Sequence, residues 1–159
     1  MIAYRIVGAL LLALSGGWGA YLMNQRITLT LRQTEAWLAL LRYVKTQVDC
    51  FALPGTRILK GVDPALLRAC GYEAESPPDS FLALLGGCGI RDRESERILS
   101  AFAREFGRSY REEQTKGCAY YCELLAARRD ALAEGLPARK KVNSTLWISG
   151  ALAMVILLI

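Results

Sequence analysis

Two uncharged apolar runs bracket a polar middle in this chain of 159 residues. The first extends from Ile6 to Gln25 and the second from Val142 to Ile159. As a helix rising 1.5 Å per residue, either run reaches across the roughly 30 Å hydrocarbon core of a bilayer. Arg26 comes directly after the first run, while Arg139, Lys140 and Lys141 stand directly before the second. Cations beside a span are retained on the cytoplasmic side at insertion. The pattern therefore predicts an N-terminal transmembrane helix over 1–25, a cytoplasmic domain over 26–141 and a C-terminal anchor helix over 142–159, with both ends outside. A short basic region, Ile6 to Leu14 and the small residues after it also have the order of a signal peptide. Arg26, Arg32 and Arg42 oppose export of the downstream chain, which favours the span.

Within the runs, small residues recur at three- and four-residue spacing: Ala9, Ala13, Gly16, Gly17 and Ala20 in the first, Ser149, Gly150 and Ala153 in the second. On a helix this spacing makes a smooth face on which another helix can pack closely.

The polar middle keeps to the helical period throughout. Trp37, Leu41, Val44 and Val48, widened by Leu40 and Phe51, form a stripe on a long helix leaving the membrane, with Arg32, Glu35, Arg42, Lys45 and Asp49 on the wet side. Pro54-Gly55 ends it. Short helices are predicted over Thr56 to Lys60, over Pro64 to Cys70 behind an Asp63 cap, and over Phe81 to Leu85 behind Asp79 or Ser80. Gly86-Gly87-Cys88-Gly89 predicts a flexible hinge or tight turn; it lacks the Lys-Ser/Thr ending of a phosphate loop. Asp92 to Phe106 is amphipathic, with Ile98, Leu99, Phe102 and Phe106 inward. A last helix from Ser109 to Glu134 turns Tyr110, Gly117, Cys118, Tyr121, Leu124, Leu125 and Leu132 to the core, and Gly135 and Pro137 are expected to break it. No useful strand alternation occurs. The expected class is all-α, a small helical bundle flanked by two transmembrane helices.

Charge and chemistry add mainly exclusions. The net charge is +5 and hydrophobic residues make up 53% of the chain. The excess cations flank the apolar runs, where they suit anionic lipid headgroups, and no aromatic residues interleave with a basic stripe as nucleic-acid binding requires. The chain contains no histidine, which removes the commonest general base and the histidine zinc sites. The five cysteines, Cys50, Cys70, Cys88, Cys118 and Cys122, form no C-x-x-C pair. Cys118 and Cys122 share a helical face that could hold a metal, and buried small side chains are the plainer account. No catalytic constellation and no cofactor motif is present.

Four pieces carry a family resemblance: Val7-Gly8-Ala9-Leu10 with its glycine-rich end and Tyr21; Leu41-Arg42-Tyr43 through Gln47 to Phe51 and Leu53-Pro54; Phe106-Gly107-Arg108-Ser109 through Glu113-Gln114; and the tail from Gly150 to Leu157-Leu158-Ile159. In this order they resemble the stage III sporulation protein AB family of endospore-forming bacteria. That family is similar to a cytoplasmic helical domain of the type II secretion inner-membrane platform protein. The resemblance implies a bundle of about six helices. It also implies a structural role in a complex between mother cell and forespore, with a secretion-type ATPase and other membrane proteins as partners. The cell membrane around the forespore is the implied location. Arg108, Arg111, Glu112, Glu113 and Gln114 are the candidate partner-facing patch, their density of charge fitting an ordinary solvated helix face equally well, and whether the bundle self-associates stays open. Two other classes compete: a membrane-tethered signalling adaptor, and a small pore or transporter subunit. Conduction pathways usually carry an ionisable residue within a span, and neither run has one.

Overall fold

The computed structural model describes the chain from Ile2 to Leu158 apart from Ala52, Glu75 and Ser109; of residues 2–16, Ala151, Val155, Leu157 and Leu158 it describes the backbone only. Six helices succeed one another: α1 (Ile2–Phe51), α2 (Gly55–Lys60), α3 (Pro64–Cys70), α4 (Phe81–Gly86), α5 (Arg93–Glu105) and α6 (Arg111–Leu158). Among the described residues there is no strand, only a single antiparallel bridge between Tyr72 and Cys88. The all-helical class and the number of helices agree with the sequence.

The chain divides into two compact units. One holds Thr30–Leu132, and the other holds Met1–Leu29 together with Ala133–Ile159. The first unit is the bundle. Its core is the predicted α1 stripe, with Trp37, Leu40, Leu41, Val44 and Val48 all buried, joined by Ile58 and Leu59 of α2, Leu84 of α4, Leu99 and Phe102 of α5, and Cys118, Tyr121 and Leu125 of α6. Complete burial of one such side chain stabilises the fold by about 1.5–3 kcal/mol.

The short helices begin where capping chemistry allows. The Asp63 carboxylate accepts from the Ala65 amide at 2.8 Å, the Ser80 hydroxyl from Ala83 at 3.1 Å and the Asp92 carboxylate from Ser95 at 2.8 Å. Each satisfies a donor that the first helical turn leaves without a partner. Gly71 closes α3 with φ of +100°, and a Cβ there would meet the Gln33 amide nitrogen at 2.8 Å. The Gly86–Gly89 stretch is a tight turn rather than a free hinge. The Gly87 amide donates to the Ala83 carbonyl at 3.0 Å, and a Cβ on Gly87 would strike the Tyr72 ring.

Three expectations fail in instructive ways. Gly135 and Pro137 do not end the last helix, since α6 runs through Pro137 as far as Leu158. A proline removes one ladder bond, and the strong helix formers from Ala138 to Lys141 resume the ladder at once. Phe51 and Tyr110, both expected in the core, are 65% and 89% exposed. Phe51 is the last residue of α1, where the chain turns off the stripe towards Pro54. Tyr110 precedes the first turn of α6 and so never joins its inner face.

Candidate functional site

Among the described residues of the bundle unit, only four large apolar side chains are exposed: Phe51, Leu82, Tyr110 and Tyr120. Tyr120 rests edge-on against Tyr121, with ring centroids 5.2 Å apart. Two of the other three gather where the end of α1 meets the beginning of α6. There the Arg111 guanidinium donates to the backbone carbonyl of Asp49. This places Cys50 and Phe51 beside Tyr110 and Arg111 and supplies a cation to the carbonyl end of α1, where the helix dipole favours it. Lys45 pairs with Asp49 at 3.0 Å, and hydrogen bonds from Lys45 and Thr115 hold the Asp49 carboxyl below its ordinary value.

Of the patch expected from the resemblance, Arg108, Arg111, Glu112 and Glu113 are exposed and Gln114 is half-buried. The structure keeps Arg111 to Gln114 on the first turn of α6, with the Gln114 amide donating to the Tyr110 carbonyl at 2.9 Å. Arg108 lies in the preceding turn, next to Gly107, whose φ is +83°. Periodicity had assigned Phe51 and Tyr110 to the core, yet they turn this charged patch into an amphipathic one.

Beneath it sits an aromatic cluster. Phe81, Phe102 and Phe106 approach one another with centroids 4.8 to 5.2 Å apart, and Phe102 meets Tyr121 at 5.6 Å. Glu113 and Gln114 line a cavity of about 50 Å³ over this cluster, room for a few waters and no organic cofactor. Burial pushes the Cys88 thiol up to about 11 and the Cys118 thiol to about 12, and it raises Cys122 as well. These are protonated, unreactive groups at neutral pH. All five cysteines are free, and the described residues contain no cluster of three metal-ligating side chains.

Sequence reasoning missed Gln33. This side chain is 8% exposed, donates to the carbonyls of Cys70 at 2.9 Å and Gly89 at 3.0 Å, and accepts from the Arg91 amide at 3.0 Å. A single amide thus ties the end of α3 and the glycine turn to α1. Also missed was the pairing of Asp92 with Arg128, two hydrogen bonds of 2.9 and 2.6 Å between the start of α5 and α6.

In the other unit the two terminal segments face each other. The Asn24 amide donates to Ser144 at 3.2 Å and accepts from Asn143 at 3.2 Å, while a Cβ on Gly19 would strike the Trp147 ring at 2.8 Å. Residue numbers fall along one segment as they rise along the other, so the pairing is antiparallel and sets Arg26 level with Lys141. Arg26, Arg139 and Lys141 are exposed and Lys140 is half-buried. Of the small residues, Ala20 is buried, whereas Gly17, Ser149, Gly150 and Ala153 are exposed. Among the described residues, nothing beyond the helix's own backbone and chain neighbours lies within 4 Å of a Cβ built on Gly17 or Gly150. Ala9, Ala13 and Gly16 fall outside the described side chains.

Among the described residues no helix is long and apolar enough to cross a membrane. The side chains of Ile6 to Gly16, which form more than half of the first run, lie outside them. The described remainder leaves a great deal of apolar surface open, including Trp18, Tyr21, Leu146, Ile148, Leu152 and Ile156.

Residues 88–159 match the family model of stage III sporulation protein AB. The match takes in the α6 patch and the tail on which the resemblance rests, and begins at Cys88, after the earlier pieces. No curated protein and no solved structure matches the chain.

Proposed function

We infer from the stage III sporulation protein AB family, whose model residues 88–159 match, that this chain is a structural platform of a secretion-like complex between mother cell and forespore. Its role falls in stage III of sporulation. The two apolar runs anchor it in the mother-cell-derived membrane, and the bundle faces the cytoplasm. There it receives a secretion-type ATPase and neighbouring membrane proteins.

The observation that carries this reading is the division of exposed apolar surface. All but four of the exposed large apolar side chains described belong to the terminal pair of segments. So many exposed large apolar side chains in one paired unit suit lipid better than water. Arg26 of one segment and Lys141 of the other stand level at one end of that pair, with Arg139 and Lys140 following on the same side, where a headgroup layer would meet them. Two of the bundle's three exposed aromatics, Phe51 and Tyr110, stand at the junction held by Arg111, on a surface that mixes Tyr, Phe and Arg, and these residues are enriched at protein interfaces.

Reversing the charges of the patch with Arg111→Glu and Glu112→Arg should reduce recovery of the ATPase with the full-length protein from sporulating cells by about tenfold. The same pull-down measures expression of the variant, so loss of the protein is distinguished from loss of the contact. Undiminished recovery contradicts the assignment of this surface.

A further inference from the structure

Beside the patch, where the turn between α5 and α6 passes the first residue of α2 and the start of α4, lies a groove of about 310 Å³. Phe81 and Phe106 line it, with ring centroids 4.8 Å apart. Gly55 is required there, because a Cβ would lie 2.9 Å from the Phe106 ring. Leu82, 54% exposed, stands on the rim. Arg104 and Arg108 also line the groove. Both are exposed, and neither forms an ion pair with a described residue. Asp79 is the one carboxylate among its described lining residues.

The volume stands at the bottom of the roughly 300–1,000 Å³ range of small-molecule pockets. That suits one large side chain and its backbone better than a cofactor. Half-buried Phe106, backed by the buried Phe81, offers an apolar anchor site with the exposed Leu82 on its rim, and two cations beside it, with no ionic partner among the described residues, select against basic and neutral sequences.

We propose that this groove docks an extended acidic segment of a partner protein, carrying one large apolar side chain that enters against Phe81 and Phe106 while flanking carboxylates meet Arg104 and Arg108. The proposal rests on the reading of the bundle as a protein-docking platform and names the chemistry of what docks. It places Arg108 in the groove and adds Arg104, which the sequence did not single out. Both cations are exposed, so their contribution is strongest at low salt and falls as ionic strength rises.

Synthetic peptides separate this from the question of which complex the protein serves. The probe is a fluorescent heptapeptide of glutamates and aspartates with one central leucine, titrated by fluorescence anisotropy into the purified full chain in non-ionic detergent. Binding at low salt is expected to weaken by about tenfold when the acids are replaced by their amides, and likewise in the Arg104→Glu/Arg108→Glu variant. Replacing the leucine by serine should also weaken it. Helix content and thermal midpoint of that variant should match those of the parent, since both side chains lie on the surface. Equal affinity for the amide peptide, unchanged binding by the variant, or no binding of the acidic peptide overturns the proposal. Because the assay uses no cellular partner, none of these results bears on the sporulation reading, which the pull-down tests.

Discussion

Replacing Gln33 by leucine is expected to destabilise the bundle by about 3 kcal/mol, and to lower the midpoint of thermal unfolding by about 10 °C. Leucine has nearly the volume of glutamine and suits the helix, so neither cavity nor propensity is at issue. What disappears is the set of three hydrogen bonds to Cys70, Gly89 and Arg91. Two carbonyls and an amide are left without partners, each costing about 1–3 kcal/mol where water is excluded. Water can reach Gly89 and Arg91, which are exposed, and this keeps the sum near the lower end. Gln33→Glu provides the sharper comparison. It retains the acceptor for Arg91 but sets a carboxylate against two carbonyl oxygens, so it should be at least as damaging. Thermal unfolding of the full chain monitored by near-ultraviolet circular dichroism checks both variants. A midpoint within about 2 °C of the parent for Gln33→Leu would show that the clamp is not made.

Acid should remove a second large contribution, through Asp92. Hydrogen bonds from Arg128, and then from Ser95, hold this carboxyl down at about 2, against an ordinary value of 3.8. A carboxyl whose folded value lies below its unfolded one stabilises the fold above the unfolded value, and that stabilisation is lost as pH falls through the folded one. The window is therefore from about pH 4 down to about pH 2, and the amount is about 2 kcal/mol. Asp92 is 12% exposed and Arg128 29%, so solvent screens the pair only in part. Asp92→Asn keeps an oxygen to cap α5 but leaves Arg128 half-buried without its anion. It should cost about 2–3 kcal/mol at neutral pH. Denaturant unfolding at a series of pH values is the check: the difference between parent and variant should be full at pH 6 and shrink markedly below pH 3. A difference that stays constant with pH would remove Asp92 as its source.

The helices of the bundle were legible because their signals are local. Asp63-Pro64, Ser80 and Asp92 announce helix starts through side chains that reach only two or three residues along the chain. The α1 stripe from Trp37 to Val48 repeats the helical period and is buried along its length. Gln33 was illegible for the opposite reason. Its partners lie 37 to 58 residues away, and a glutamine in a helix ordinarily faces water. The pairing of Asp92 with Arg128 also depends on tertiary structure, since only the cap half of Asp92's work is written locally. Pro137 misled because its rule describes helix interiors on average, whereas a 48-residue helix can lose one bond and continue. At the candidate site, periodicity sent Phe51 and Tyr110 inward, and the chain reverses direction just beyond one and just before the other. These two failures of the pattern lie on the surface proposed for docking. Exposed apolar residues that gather, rather than stand singly, are where an interaction surface is expected.

Behind the whole account stands one arrangement: apolar ends in lipid and the bundle in the cytoplasm. A topology reporter tests it most directly. Gly87, in the middle of the chain, is a poor insertion point because the Tyr72 ring lies against it, whereas Ala74 is exposed and outside every helix. A reporter enzyme that functions only in the cytoplasm, inserted at Ala74 of the full-length protein, should be active and sediment with the membrane fraction. Inactivity of the inserted enzyme, or its full activity in the soluble fraction, would contradict the account.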